Sequence, residues 1–284
     1  MANIKTLFNV TVPQYLLITI FSSLAISMTL NQEIGIEVIM VIISLSFAMF
    51  GLNSSNQFFE SELDAINKPL RPIPAKTITK KGLMSVFTIF FIISILIAFF
   101  VNKIFLFLII AYILFSFAYS IPQINLKKIY FGSNIFGSVF HSVIPYLSIW
   151  SLKQGPLELH FFYFYTALIF FIATTKDYED FAGDRKKNIC TAPVILGIEK
   201  SKLFIIVGLF ISITAMAILL FYNILDFYFI IPITSSYLVL FYISKKLFTK
   251  YIEVNITQSK LVTHSVILIV LIQLLFGITN RLVK

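Results

Sequence analysis

The stretch Gly82-LMSVFTIFFIISILIAFF-Val101, followed after Asn102-Lys103 by Ile104-FLFLIIAYILFSFAY-Ser120, decides the fold. A helix that crosses a bilayer needs roughly 20 predominantly apolar residues. Both runs approach that length without a charged residue, and the two-residue break makes antiparallel neighbours of them. Continuous apolar blocks exclude a membrane barrel, whose strands alternate apolar and polar residues.

Working outward, seven further apolar segments lie at about 14–31, 35–56, 133–151, 159–176, 201–221, 227–243 and 261–280. The expected fold is therefore all-α: a polytopic transmembrane bundle of about nine spans, one domain over residues 1–284. No removable leader is evident, and the first run reads as a retained span. Composition agrees. The chain is 58% hydrophobic and 12% charged, where a soluble domain carries about a quarter charged residues. Mean hydropathy is +0.93. The net charge of +9 points to loop topology and an anionic lipid surface, not to nucleic acid. The single cysteine, Cys190, excludes an intrachain disulfide.

With the amino terminus placed inside, eighteen of the 22 Lys and Arg residues fall on the cytoplasmic side, and only Lys103, Lys153, Arg281 and Lys284 fall outside. That asymmetry sets the expected orientation. Seven of the 13 acidic residues sit in two short stretches, Glu60, Glu62 and Asp64, then Asp177, Glu179, Asp180 and Asp184. Both stretches fall where an even-numbered helix reaches the cytoplasmic side. The four-helix offset suggests a parallel repeat, one half at about 14–120 and the other at about 133–243, with a final helix.

On a helix, Asn56, Glu60 and Asp64 share one face, and so do Asp177, Asp180 and Asp184; Glu179 points elsewhere. Like charges at this spacing repel, so a cation is expected against them. Pro69, Pro72 and Pro74 end the first helix and leave Lys68 and Arg71 beside the acids. Gly183 suggests a close approach or an early helix end. Carboxylate and amide oxygens suit Mg²⁺, which binds one or two carboxylates together with substrate phosphates. Two facing clusters with Lys and Arg alongside therefore suit a diphosphate. Solvated juxtamembrane charges are the plain alternative. A cation-coupled transporter is another, although such sites usually lie near the bilayer midplane.

The stretch from Asn56 to Asp64-Ala-Ile-Asn67-Lys68-Pro69-Leu-Arg71-Pro72-Ile-Pro74 closely resembles the first aspartate-rich motif of the UbiA superfamily of intramembrane prenyltransferases. Lys176-Asp177-Tyr-Glu-Asp180-Phe-Ala-Gly183-Asp184-Arg185 resembles the second, and Tyr119-Ser-Ile-Pro122 with Leu126-Lys127-Lys128 looks like the tyrosine–lysine loop between them. The resemblance covers essentially the whole chain. It implies Mg²⁺, two ions, bridging an isoprenyl diphosphate to the motifs. Asn56, Glu60, Asp64, Asp180 and Asp184 then form the metal shell, and Asp177 is a further acidic contributor. Lys68, Arg71, Tyr119, Lys127, Lys128 and Arg185 become substrate contacts. The chain departs from the pattern at Gln57 and Glu60, where the family commonly has Asp, and at Val12-Pro13, where it often has Arg-Pro.

The activity implied is prenyl transfer in the membrane to a small acceptor, an aromatic acid or phenol first, a glycerol-phosphate lipid or tetrapyrrole after it. Cyclisation of the isoprenyl diphosphate at the same site is the alternative. The setting implied is a prokaryotic cell membrane, with the site on the cytoplasmic side.

Overall fold

The computed structural model describes residues 4–249 and 260–284, and no strand occurs among them. Lys250, one of the residues counted for orientation, lies outside the described residues. The chain opens with α1 (Ile4–Thr11) and α2 (Pro13–Thr29), separated by Val12 in the left-handed region at φ 51°. Pro13 suits the first helical position because its missing N–H would have no partner there. Next come α3 (Ile36–Phe59), α4 (Ser61–Asn67), α5 (Lys80–Val101) and α6 (Lys103–Ser120). The Thr79 hydroxyl caps α5 by accepting from Gly82 N at 3.1 Å. Asn102 lies between α5 and α6 and accepts from Phe105 N at 2.8 Å, so one residue both ends a helix and caps the next.

The segment after α6 is a 3₁₀ turn at Leu126–Lys128. Then α7 (Gly132–Ser138), a π turn at Val139–Val143 and α8 (Ile144–Trp150) run on without a break. They are followed by α9 (Leu159–Ile172), α10 (Thr174–Lys186), α11 (Ala192–Leu196), α12 (Ile198–Phe221), α13 (Ile230–Thr249) and α14 (Lys260–Val283).

Among the described residues, seven helices are long and apolar enough to cross a membrane, counting α9 and α10 as one. The remaining two of the nine expected segments are helical too. α2 is a shorter apolar helix, and 132–150 is divided by its π turn.

Large apolar side chains such as Phe99, Phe100, Phe107 and Leu114 are exposed, and patches of this kind need lipid around them. Lipid offers helices no hydrophobic reason to associate, so small residues and polar contacts do that work. α14 packs on α2 and α9 in this way. Ser22 Oγ donates to Gln273 Oε1 at 2.6 Å, Asn280 Nδ2 to Thr29 O at 2.7 Å, and the Tyr165 hydroxyl to Gln273 O at 3.1 Å. At Gly277 an added Cβ would lie 2.5 Å from the backbone oxygen of Ala25. Backbone cannot yield as a side chain can, so Gly277→Ala should destabilise the bundle by about 1–3 kcal/mol. Thermal unfolding in detergent reads this as a lower midpoint; an unchanged midpoint would contradict the packing.

Candidate active site

The two acidic stretches meet at one end of the bundle. α3 stops at Phe59, and Glu60 lies at the junction with α4 at φ −95° and ψ 16°. This corrects the expectation of one uninterrupted helix through Asn56, Glu60 and Asp64. The backbone keeps its bonds across the junction, Glu60 N to Asn56 O and Asp64 N to Glu60 O, each 2.8 Å, but Glu60 itself leaves helical geometry. α4 ends before the proline stretch, as expected. The second stretch stays on one helix, α10.

Asn67 joins the two. Its amide nitrogen donates to Asp180 O at 3.1 Å, and its oxygen accepts from Gly183 N at 2.8 Å. An added Cβ at Gly183 would lie 2.5 Å from Asn67 and 2.6 Å from Leu63. Glycine is present because α4 crosses α10 at that residue.

Ion pairs complete the junction. Lys68 Nζ lies 2.7 Å from Asp180 Oδ1 and 3.8 Å from Glu179 Oε2. Glu179 therefore does not point away, because Lys68 reaches it from the other helix. Arg71 Nη1 donates to both oxygens of Asp64 at 2.7 and 2.8 Å. Lys127 Nζ spans the motifs, 3.5 Å from Glu60 Oε2 and 3.3 Å from Asp184 Oδ1. Ser133 Oγ donates to Asp177 Oδ1 at 2.6 Å, and Asn56 Nδ2 to Ser120 Oγ at 3.2 Å.

These are not solvated charges. Asp184 is 0% exposed, Asp64 2% and Lys127 3%. Burial raises the Asp64 carboxyl above its usual range, and Arg71 pulls it back only in part. Burial alone would lower Lys127, yet Glu60 and Asp184 more than reverse this and hold its ammonium well above the usual lysine range.

Lys128 and Arg185, expected as phosphate contacts, are exposed, whereas Lys127 points in. Gln57 is buried and donates to Val10 O at 2.8 Å. With Asn53, whose amide reaches Thr11 O at 3.0 Å, it secures the α1–α2 junction, a bond an ionised Asp could not donate.

A cavity opens from this junction into the bundle. It encloses about 860 Å³ of empty space, the open solvent at its entrance included. Asn56, Tyr119, Ser133 and Lys176 line it together with apolar residues such as Leu52, Phe140 and Ile169. Tyr119 lies in its wall with its ring 5.5 Å from that of Phe136.

Sequence reasoning missed Asn67, Ser133 and Lys176. The i, i+4 spacing of Lys176 and Asp180 was a readable signal for Lys176. Nothing in the sequence distinguishes Asn67, apart from the glycine it needs on the other helix.

The sequence pattern of the UbiA prenyltransferase family matches residues 16–272. The chain belongs to that family. Like the family, it is an integral, multi-pass membrane protein. It is 29% identical over 171 residues to a digeranylgeranylglyceryl phosphate synthase of Pyrococcus horikoshii, and the match spans 58% of each chain. It is 24% identical over 246 residues to one of Methanosphaera stadtmanae, spanning 87% of each. The structure of a UbiA homologue from Archaeoglobus fulgidus bound to DMAPP and Mg²⁺ shares the fold, with a TM-score of 0.75 at 13% identity, covering 98% of this chain and 100% of that one.

Among the described residues no group of three or more His, Cys, Asp or Glu side chains is close enough to hold one metal ion; basic side chains stand between the carboxylates instead. The donors nonetheless fit a hard cation. All are oxygens, and Asp177 Oδ2 and Asp184 Oδ2 are buried without a hydrogen-bond partner. Asn67→Ala removes both side-chain hydrogen bonds that link α4 to α10. Stability should fall by about 1–3 kcal/mol, and the variant should lose activity at temperatures where the wild type is still folded. Paired unfolding and activity curves that overlay those of wild type would contradict this.

Proposed function

We propose that the protein transfers a prenyl group from an isoprenyl diphosphate to a small acceptor within the membrane, with Mg²⁺ held at the junction of the two motifs. The observation that carries this reading is the pair of buried oxygen clusters, joined by Asn67 and Lys127, beside an apolar cavity whose wall includes Asn56 and Ser133. Asn56, Glu60, Asp64, Asp180 and Asp184 would hold Mg²⁺, two ions, with Asp177 contributing beside them. Bound Mg²⁺ neutralises charge on a departing diphosphate. Lys68, Arg71 and Lys127 supply positive charge for the remaining phosphate oxygens. Tyr119 and Phe140 in the cavity wall keep water from the carbon that the diphosphate leaves, and their ring faces suit a developing cation.

The relatives named digeranylgeranylglyceryl phosphate synthases favour a glyceryl phosphate carrying one prenyl chain as the acceptor, ahead of the aromatic acid suggested by the sequence. The reading includes the two-half arrangement, 14–120 and 133–243, and a site facing the cytoplasm of a prokaryotic cell with the amino terminus inside. The lysine and arginine asymmetry supports that orientation.

The test is product mass after incubating the purified protein with Mg²⁺, geranylgeranyl diphosphate and geranylgeranylglyceryl phosphate. The expected product is the doubly prenylated glyceryl phosphate, lost when a chelator removes the metal. Asp64→Asn and Asp180→Asn should each lower turnover about 100-fold or more while remaining folded in detergent. A cyclic hydrocarbon formed from the diphosphate alone would replace transfer with cyclisation. Wild-type turnover in both variants would refute the metal site.

A further inference from the structure

Lys176 stands apart from the other basic residues at the junction. Lys68, Arg71 and Lys127 are each paired with a carboxylate. Among the described residues no Asp or Glu forms an ion pair with Lys176. Its side chain lines the cavity together with Tyr15 and His141.

His141 lies in the π turn Val139–Val143, a local widening of the helix that recurs at functional sites. Its ring stacks on Tyr15 with centroids 5.6 Å apart and planes at 19°. Its Nδ1 is buried and has no hydrogen-bond partner. Asp177 and Asp180 lie near enough to act on Lys176 electrostatically, but the cavity holds a cation with no carboxylate in ion-pair contact and an imidazole with an unused nitrogen, both among apolar walls. Neither is expected to stay so without a ligand, because a polar group withdrawn from water costs energy until it finds a partner. The three cations already paired with the motifs account for the diphosphate end. Lys176 therefore has a different anion to meet.

We propose that Lys176, flanked by His141 and Tyr15, is the headgroup subsite of the acceptor. It binds the acceptor's acidic group, a phosphate monoester or a carboxylate, and so selects acceptors that carry an anion close to the nucleophilic hydroxyl. This inference rests on the prenyl-transfer reading above and assigns the specificity of that same site.

The test titrates the full chain in detergent calorimetrically, without Mg²⁺ or donor. One arm uses geranylgeranylglyceryl phosphate, a second 4-hydroxybenzoate, and phosphate-free geranylgeranylglycerol is the neutral control. Wild type should bind one of the two acids at least tenfold more tightly than the neutral lipid, as a charge-assisted contact implies. Lys176→Gln should reduce that preference to within twofold, and Lys176→Arg should largely keep it. In turnover assays, Lys176→Gln should raise KM for the acid tenfold or more and leave KM for the isoprenyl diphosphate within twofold, which also shows that the variant is folded.

An acid preference untouched by Lys176→Gln would overturn the subsite, and so would an equal loss of donor affinity. Wild-type transfer to the neutral lipid, with both acids ignored, would overturn it while prenyl transfer stands. Lys176-dependent binding of an acid without any transfer would support the subsite and count against the reaction.

Discussion

The ammonium of Lys127, set between Glu60 and Asp184, is the contact on which the site depends. Carboxylates on two helices cannot lie this close inside an apolar bundle without positive charge between them. Lys127 supplies it across the motifs, Lys68 supplies it to Asp180 and Glu179, and Arg71 to Asp64. Three cations thus meet five carboxylates, and not every oxygen is satisfied. The bare atoms of Asp177 and Asp184 leave this end of the molecule suited to a further cation.

The membrane explains why that end is built from helix ends. Backbone polar groups in lipid must be satisfied within a helix, so apart from the π turn at Val139–Val143 irregular backbone gathers toward the edge of the bundle. The break at Glu60 and the 3₁₀ turn that carries Lys127 lie together with the acidic residues of α10 at this edge. From there the cavity runs back among apolar side chains. Charged and apolar parts of one substrate can thus be met by adjoining regions of one cavity, with Lys176 and His141 marking a second polar position inside it.

Much of this was readable in the sequence. Uncharged apolar runs leave a chain in lipid little choice but helix, and all nine expected segments are helical, with seven meeting the length and apolarity of a span. The acidic residues were found because repulsion at i, i+4 makes no structural sense without a cation. What escaped was local. Helical spacing cannot show a break such as the one at Glu60, because the backbone bonds on either side persist. Spacing gives Glu179 a separate face, but it says nothing of a lysine that arrives from another helix. The choice of Lys127 over Lys128 is made by a single 3₁₀ turn, and the π turn at His141 has no sequence pattern of its own.

The junction should hold an isoprenyl diphosphate only together with a divalent cation. Calorimetric binding of a non-hydrolysable isoprenyl diphosphate analogue across a Mg²⁺ titration measures this directly. Affinity should rise with Mg²⁺ and vanish in chelator. Equal affinity with and without the metal would contradict it, because the lysines and Arg71 alone would then suffice.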